Sequence, residues 1–253
     1  MLLFGAVVVL AAALAARLGS RLGLPSLLLF LGLGLALEVA GIKMTDASLA
    51  HSLGFIALVF ILAEGGFTTR WADIKGSLSV AGLLATVGVA ISIGLVATLC
   101  YVVLDYDLPQ AVLIGAIMAP TDSAAVFSVL RGLPLPARVR SVLEGESGLN
   151  DAPVVLLVSA ATAWTMGDLP EGGVAGVASM ILVELVGGII LGAVLGYLGA
   201  RILKAVALPA SGLYPLSALA VVVIAYGSGV VLHLSGFAAV YVAAVILGNS
   251  ALP

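Results

Sequence analysis

Charged side chains are scarce in this sequence. Asp, Glu, Lys and Arg together make up 9% of its 253 residues, whereas 62% of the residues are hydrophobic. Soluble domains carry about 25% charged residues, so this scarcity excludes a soluble globular protein. With a mean hydropathy of +1.29, the chain is predicted to be an integral membrane protein. Its apolar runs have the length of membrane-spanning helices, roughly 20 residues, rather than that of the short alternating strands of a β-barrel.

Cysteine and histidine are nearly absent as well. The single cysteine, Cys100, excludes an intramolecular disulfide and a cysteine-based metal cluster, and we expect it to be a small buried hydrophobic residue. The two histidines lie in different segments, which disfavours a metal site between them. We expect His51 in an external loop and His233 at the membrane interface. No basic tract suggests a nucleic-acid partner, and no motif indicates a cofactor.

Nine apolar segments follow one another along the chain, and they predict an all-α, polytopic membrane protein. The third and the ninth are short for a straight span, and the fifth is interrupted by the residues "APTD". The sixth segment opens with polar residues. The segments lie at about residues 1–16, 25–41, 52–68, 77–104, 109–130, 142–166, 174–203, 213–233 and 236–249.

Basic residues alternate with these segments. They follow the first, third, fifth and seventh segments, and only Lys43 lies in a loop of the other kind. Because cytoplasmic loops are enriched in Lys and Arg, the pattern predicts that the N-terminus lies outside. The basic residues that set this orientation are Arg17, Arg21, Arg70, Lys75, Arg131, Arg138, Arg140, Arg201 and Lys204.

The sequence of residues 22–37 is echoed in residues 232–247. An odd number of helices separates the two copies, so they would cross the membrane in opposite directions, as inverted repeats of transporters do. We therefore expect a single transmembrane domain in which residues 1–166 form one repeat and residues 174–203 a linker helix. Residues 213–253 would begin a second repeat, and we expect the chain to be truncated there.

Two polar pairs open the sixth segment. An ionisable residue at membrane depth costs roughly 2.5 kcal/mol or more and indicates function. At 100° per residue, Ser147 and Asp151 share one helix face, while Glu146 and Asn150 share another. The pair of Ser147 and Asp151 offers oxygen ligands for a monovalent cation or a proton. The pair of Glu146 and Asn150 is expected to bind a basic side chain. Alternatively, Glu144 and Glu146 lie at a helix N-terminus, where acids favour the helix dipole.

A proline divides the fifth segment. Pro120 lacks an amide hydrogen and pushes Ala119 away from helical geometry, so we expect the helix to break there. Broken helices are tolerated at membrane depth only where they line a cavity, and Thr121 and Asp122 lie at the break. The alternative is a simple kink in which Asp122 caps the next helix.

Two further acids lie within apolar segments. Glu64, in the third segment, lies six residues before Arg70, and it is either a site residue or an interfacial acid that extends to water. Glu184, in the seventh segment, has no polar companion in the sequence, and we assign it no role.

Three motifs together resemble those of one family. The motifs "FILAEGGFTTR" (60–70), "APTDSAAVFSVL" (119–130) and "EGESGLNDAPVVL" (144–156) are similar to the signatures of NhaP/CvrA-like monovalent cation:proton antiporters. The resemblance implies an NhaA-like fold of about thirteen helices in inverted repeats with broken, crossing helices. It also implies a homodimer, with a mobile core, in the bacterial inner membrane. About nine of those helices would be present here.

The same resemblance implies roles for individual residues. Asp151 would bind the cation and the proton, with Ser147, Thr121 and Glu64 as further ligands. Four residues would organise the site: Pro120, Asp122, Glu146 and Asn150. An arginine elsewhere in the family's fold would pair with the acid at the Glu146 position.

The implied function is exchange of a monovalent cation for protons, with K⁺ favoured over Na⁺. Asn150 cannot titrate, so one carboxylate, Asp151, would carry one proton per cation and make the exchange electroneutral. Two alternatives belong to other classes. One is an ion channel or sodium-coupled symporter on a related fold. The other is a rhomboid-type protease, because Gly145–Gly148 matches Gly-x-Ser-Gly and His233 could act as its base.

Overall fold

The chain forms a series of apolar α-helices in the computed structural model, which describes residues 2–22, 26–42, 45–121, 136–168, 172–206 and 210–251. An all-α fold was predicted, and it is confirmed. The helices are α1 (Leu2–Leu22), α2 (Ser26–Val39), α3 (Ala47–Thr68), α4 (Trp71–Ile74), α5 (Leu78–Val103), α6 (Leu108–Met118), α7 (Ala137–Thr165), α8 (Gly173–Val206), α9 (Leu213–Val231) and α10 (Gly236–Gly248).

Two of the segment lengths can now be compared with the prediction. The third segment is not short, because Asp46 caps α3 by accepting hydrogen bonds from the backbone amides of Ser48 and Leu49, so the helix begins at Ala47. His51 consequently lies in this helix and not in a loop. The ninth segment is short as predicted: α10 has 13 residues and reaches only about 20 Å.

Four of the described helices are long and apolar enough to cross a membrane, namely α3, α5, α8 and α9. Large apolar side chains stay exposed along them, for example Leu95 on α5 and Leu182 on α8, which are 69% and 62% exposed. Such surfaces suit contact with lipid. The fold is therefore that of a multi-pass membrane protein.

The chain divides into two compact units. Residues 1–54 belong to the first unit, in which α1 packs against α2. The second unit comprises residues 55–121 and 137–253, and it contains the motifs of the sixth segment and the end of α6.

Helix α10 forms the centre of the second unit. Its residues Ala239, Val240, Ala243 and Ala244 are fully buried, and they pack against side chains of α3, α7, α8 and α9 in one apolar core. The ring of Phe237 contacts the ring of Phe55 edge-on, with centroids 5.5 Å apart. A helix that is apolar on all sides belongs in the interior, which explains why α10 carries no charged residue.

Glycines on α8 bring that helix against α10. Gly188, Gly192 and Gly196 recur every fourth residue, so they lie on one face. At Gly192, a Cβ atom would meet the carbonyl oxygen of Ala239 and lie 2.8 Å from its Cα. Small residues allow such backbone contact between membrane helices, whose association depends on van der Waals packing.

The turn from α9 to α10 is fixed on α8. His233 adopts a left-handed conformation in this turn, with φ 54°, and its side chain is exposed. Ser235 then caps α10 by accepting a hydrogen bond from the amide of Ala238, and its own amide donates to the carbonyl of Glu184 at 2.9 Å. In the sequence echo, Ser26 pairs with Gly236, and these residues begin α2 and α10. The inverted orientation of the two copies stays a prediction.

Replacing Gly192 with Ala should separate α8 from α10. The added Cβ has no room beside the Ala239 backbone, so we expect the free energy of unfolding to fall by about 1–3 kcal/mol. Thermal unfolding of the purified protein in detergent measures the loss. Gly227→Ala is the matched control, because a Cβ at this α9 position meets open space. An equal loss in both variants would contradict the packing explanation.

Candidate functional site

The polar motif of the sixth segment lies well inside a helix. Helix α7 begins at Ala137 and runs without interruption through Glu146 and Asp151. The alternative that Glu144 and Glu146 occupy a helix N-terminus is therefore wrong. Two turns of helix precede Glu146, and the influence of the dipole is confined to about the first turn.

Helix α6 ends where the proline predicted it would. Its last residue is Met118, with Ala119 as the C-terminal cap, and Pro120 and Thr121 are not helical. The predicted end of the helix is confirmed, since Pro120 cannot donate the next helical hydrogen bond. Asp122 lies outside the described residues.

Apolar packing fixes this end of α6 against α7. Ala119 forms a small buried cluster with Val89 of α5 and Val154 of α7. One helical turn earlier, α6 approaches the backbone of α5 closely, because Gly115 leaves no Cβ beside the carbonyl of Ile93. The backbone that follows Ala119 is thereby held beside the middle of α7.

Thr121 and the α7 pair form a hydrogen-bonded set, here called the polar cluster (Thr121, Glu146 and Asn150). The Thr121 hydroxyl lies 2.7 Å from Oε2 and 2.9 Å from Oε1 of Glu146, so it donates to this carboxylate. The Asn150 amide, Nδ2, donates to Oε1 of Glu146 at 2.8 Å. Each carboxylate oxygen thus accepts a hydrogen bond, as a buried charged group requires.

Burial makes these hydrogen bonds important. Glu146 is 7% exposed and Asn150 is 0% exposed. Both donors to the Glu146 carboxyl group are neutral side chains. The amide oxygen of Asn150 is also buried, and it has no hydrogen-bond partner within the described part of the chain. A donor, and above all a basic one, would complete this arrangement.

Ser147 and Asp151 lie on the neighbouring face of α7, and both are half-buried. The helical spacing therefore separates the two polar pairs as the sequence predicted. Pro153 follows in the same helix, and its ring nitrogen cannot donate to the carbonyl of Leu149. This interruption of the helical hydrogen bonds lies beside Asp151.

The remaining predicted site residue lies apart from the polar cluster. Glu64 is on α3 with an exposed side chain, and the helix turns its buried residues Val59, Leu62, Ala63 and Gly66 the other way. Glu184 is half-buried on α8. Cys100 is 5% exposed, as predicted for a small apolar residue.

Sequence reasoning missed two features around the polar cluster. The first is a π-helical turn in α5, at Leu84–Gly88, and turns of this kind often mark functional regions of helices. The second is Tyr241 of α10, whose hydroxyl lies so close to α7 that a Cβ on Gly148 would be 2.5 Å from it. Pro153 was visible in the sequence, but neither the π-turn nor Tyr241 has a local signal.

Comparison with known families identifies the chain's relatives. The model of the transmembrane sodium/hydrogen exchanger family matches residues 6–253. The chain belongs to this family. The membership leaves the rhomboid-protease alternative without support.

Curated relatives extend the comparison. The chain is 36% identical over 253 residues to a K(+)/H(+) antiporter NhaP2 of Shewanella oneidensis, an alignment that covers 98% of this chain and 43% of that protein. It is also 36% identical to a K(+)/H(+) antiporter NhaP of Alkalimonas amylolytica, covering 94% of this chain and 42% of that protein. The exchanger-family chain described here thus spans less than half the length of these relatives.

The fold has a counterpart among solved structures. The sodium proton antiporter MjNhaP1 of Methanocaldococcus jannaschii, determined by electron microscopy, matches with a TM-score of 0.78 and 23% sequence identity. The match covers 99% of this chain and 62% of that one. It shows that the exchanger-family helices described here have the antiporter fold.

Removing the Thr121 hydroxyl should destabilise the polar cluster. In Thr121→Val, which keeps the side-chain shape, Glu146 loses a donor in a buried environment, and we expect a loss of about 1–3 kcal/mol in unfolding free energy. Thr121→Ser keeps the hydroxyl and should lose much less. Thermal unfolding in detergent compares the two variants. Thr86→Val provides a second control, because that hydroxyl bonds only carbonyls of its own helix. Equal stability of the Val and Ser variants would contradict the role of the hydroxyl.

Proposed function

We propose that this protein is a secondary active transporter that exchanges a monovalent cation for protons, and not an enzyme. The observation that carries the proposal is the polar cluster, which fixes the end of α6 beside α7, the helix that bears the half-buried Asp151. A soluble or merely structural helix bundle would not need a buried carboxylate and a second acid on adjacent faces. The antiporter names of the relatives support the same activity.

Asp151 and Ser147 are the proposed ion-binding pair. They present a carboxylate and a hydroxyl from one face of α7, and both are oxygen ligands that suit a hard cation. Thr121 would add its backbone carbonyl, because its hydroxyl already donates to Glu146. Glu64 is proposed as a further ligand. Its exposure in the structure implies that it approaches Asp151 in another conformation or beside other parts of the protein.

Exchange follows from competition for one carboxylate. Asp151 can hold a proton or balance a cation, and a site of this kind would not hold both. Alternating access moves the loaded site across the membrane in either form. In the proposed cycle only a loaded site crosses readily, which couples the two fluxes.

Asn150 bears on the charge carried in each cycle. Its amide donates to Glu146 at 2.8 Å, and it cannot titrate. Glu146 is satisfied by hydrogen bonds, so we assign it a structural role. Only Asp151 is left to exchange one proton for one cation, and the proposed cycle moves no net charge.

Potassium is the proposed cation. Relatives at 36% identity are named K(+)/H(+) antiporters, whereas a protein named Na(+)/H(+) antiporter NhaH from Halobacillus dabanensis is 31% identical over 66% of this chain. We further propose a homodimer in the bacterial inner membrane. We place the N-terminus outside, because every basic residue except Lys43 follows an odd-numbered segment.

Replacing Asp151 with Asn should abolish exchange. The amide can neither bind a proton at working pH nor balance a cation, so cation-driven proton flux in proteoliposomes should fall to the level of empty vesicles. Asp105→Asn is the control, since Asp105 lies in an exposed turn with φ 53°, a conformation that Asn tolerates. Retained exchange in Asp151→Asn, with the protein folded, would refute the assignment.

Exchange should generate no electrical current. Solid-supported membrane recordings with a K⁺ or Na⁺ concentration jump should show proton movement by a pH dye but no transport current. Lowering the pH should raise the KM for the cation, because protons compete for Asp151. A cation-dependent current would overturn the one-for-one cycle. A flux that does not saturate with cation would favour a channel instead.

A further inference from the structure

An apolar crevice lies beside part of α7, on the side that faces α8 and α10. It has a volume of about 550 Å³, and Gly145, Gly148 and Ala152 of α7 line one wall. The opposite wall contains Leu185 of α8 and Val245 of α10. On its other side α7 packs directly against α5 and α6. Helix α7 is therefore packed more extensively against α5 and α6 than against α8 and α10.

The ring of Tyr241 bridges this crevice. A Cβ atom built on Gly148 would lie 2.5 Å from the hydroxyl oxygen, 2.7 Å from Cζ and 3.0 Å from Cε2 of Tyr241. The end of the ring thus rests on the α7 backbone at a position that only glycine leaves open. Gly148 follows Ser147 directly and lies within one helical turn of Asp151, so the contact is made inside the ion-binding motif.

The hydroxyl of Tyr241 is oriented by α3. It lies 3.4 Å from Oγ1 of Thr69, and the Thr69 hydroxyl donates its hydrogen to the carbonyl of Gly65 at 2.7 Å. Either hydroxyl could be the donor in the contact between Thr69 and Tyr241. At 3.4 Å this hydrogen bond is weak, so it affects the orientation of the Tyr241 ring more than the stability of the fold.

Asn249 anchors the same end of α3 to α10. Its Oδ1 accepts from the amide of Trp71 at 2.9 Å, and its Nδ2 donates to the carbonyl of Thr69 at 2.8 Å. One side chain thus replaces the backbone partners that the turn after α3 lacks. Asn249, at the end of α10, thereby binds the turn that contains Thr69, directly after α3.

We propose that Tyr241 is a positioning residue for the proposed exchange, which sets the place of the ion-binding segment of α7 relative to α3 and α10. The proposal rests on the function proposed above. Any displacement of α7 along the crevice has to carry Gly148 past the Tyr241 ring, so this contact governs how readily the loaded site moves. Tyr241 is not a ligand of the ion, and it acts through Gly148.

The test is a steric rescue measured as KM and maximal rate of cation–proton exchange in proteoliposomes. Gly148→Ala should lower the maximal rate about a hundred-fold, because a displacement of about 1 Å at a site can cost that much, while the KM for the cation stays within about two-fold. Tyr241→Ala alone should lower the rate about three-fold. The double variant should return to the rate of Tyr241→Ala, since the clashing atoms are gone.

Two companion variants sharpen this result. Tyr241→Phe retains Cζ and Cε2, so it should fail to rescue Gly148→Ala. A Cβ at Gly145, one turn earlier in α7, would lie 3.1 Å from the Cβ of Ala81 in α5 and would not meet Tyr241. Any loss of maximal rate in Gly145→Ala should therefore not be reversed by Tyr241→Ala. Thermal unfolding midpoints of all variants show whether a rate change reflects misfolding.

The outcomes separate the two proposals. If the wild-type protein exchanges cations for protons but the Gly148→Ala, Tyr241→Ala double variant stays as slow as Gly148→Ala, the role of Tyr241 is overturned and the proposed function is left intact. A raised KM for the cation in Tyr241→Ala, with an unchanged maximal rate, would overturn the positioning role too, because that result indicates that Tyr241 is a ligand of the ion. If Gly148→Ala does not fold, a wild-type rate in Tyr241→Ala would refute the proposal. Absence of wild-type exchange would overturn both.

Discussion

The buried carboxylate of Glu146 is the constraint on which the arrangement of α5, α6 and α7 depends. A carboxylate removed from water is tolerated only where hydrogen bonds replace its hydration. Here the donors come from two places that are distant in sequence: Asn150, one turn along the same helix, and Thr121, at the end of α6. Helix α6 must therefore end before Thr121, and its end must lie against α7. Pro120 satisfies the first requirement, and the packing of Ala119 on Val89 and Val154 satisfies the second.

This use of Glu146 determines what Asp151 can do. The two acids lie in one helix and are separated by little more than a turn. The hydrogen bonds assign them different tasks. In the proposed function, Glu146 is held by neutral donors and has a structural role, while Asp151, on the next face and half-buried, is the residue we propose for exchangeable partners. The same division explains an amide at position 150, because a carboxylate there could not donate to Glu146.

The local part of this arrangement was predictable from the sequence. Helical spacing placed Glu146 with Asn150 and Ser147 with Asp151, and Pro120 marked the end of α6, because both effects depend on neighbouring residues. The start of α7 was predicted too late, since Arg138 and Arg140 make its first turns polar and hide them from a hydropathy criterion. The contact of Thr121 with Glu146 joins residues 25 positions apart, and that of Tyr241 with Gly148 joins two helices. Tertiary packing alone decides such contacts, and no local pattern encodes them.

The packing around α7 differs from one side to the other, and this asymmetry bears on movement. Towards α5 and α6 it combines close backbone approach, a buried apolar cluster and the hydrogen bond between Thr121 and Glu146, all of which are lost together if the helices part. Towards α8 and α10 it has an apolar crevice crossed by the ring of Tyr241, and apolar surfaces can slide without breaking directional bonds. We propose that α7 moves together with α5 and α6, as one body, against α10. Helix α10 is suited to remain fixed, because α8 packs on it through glycines and Asn249 ties it to α3. A site built into α7 would then be carried across the crevice with its polar cluster intact.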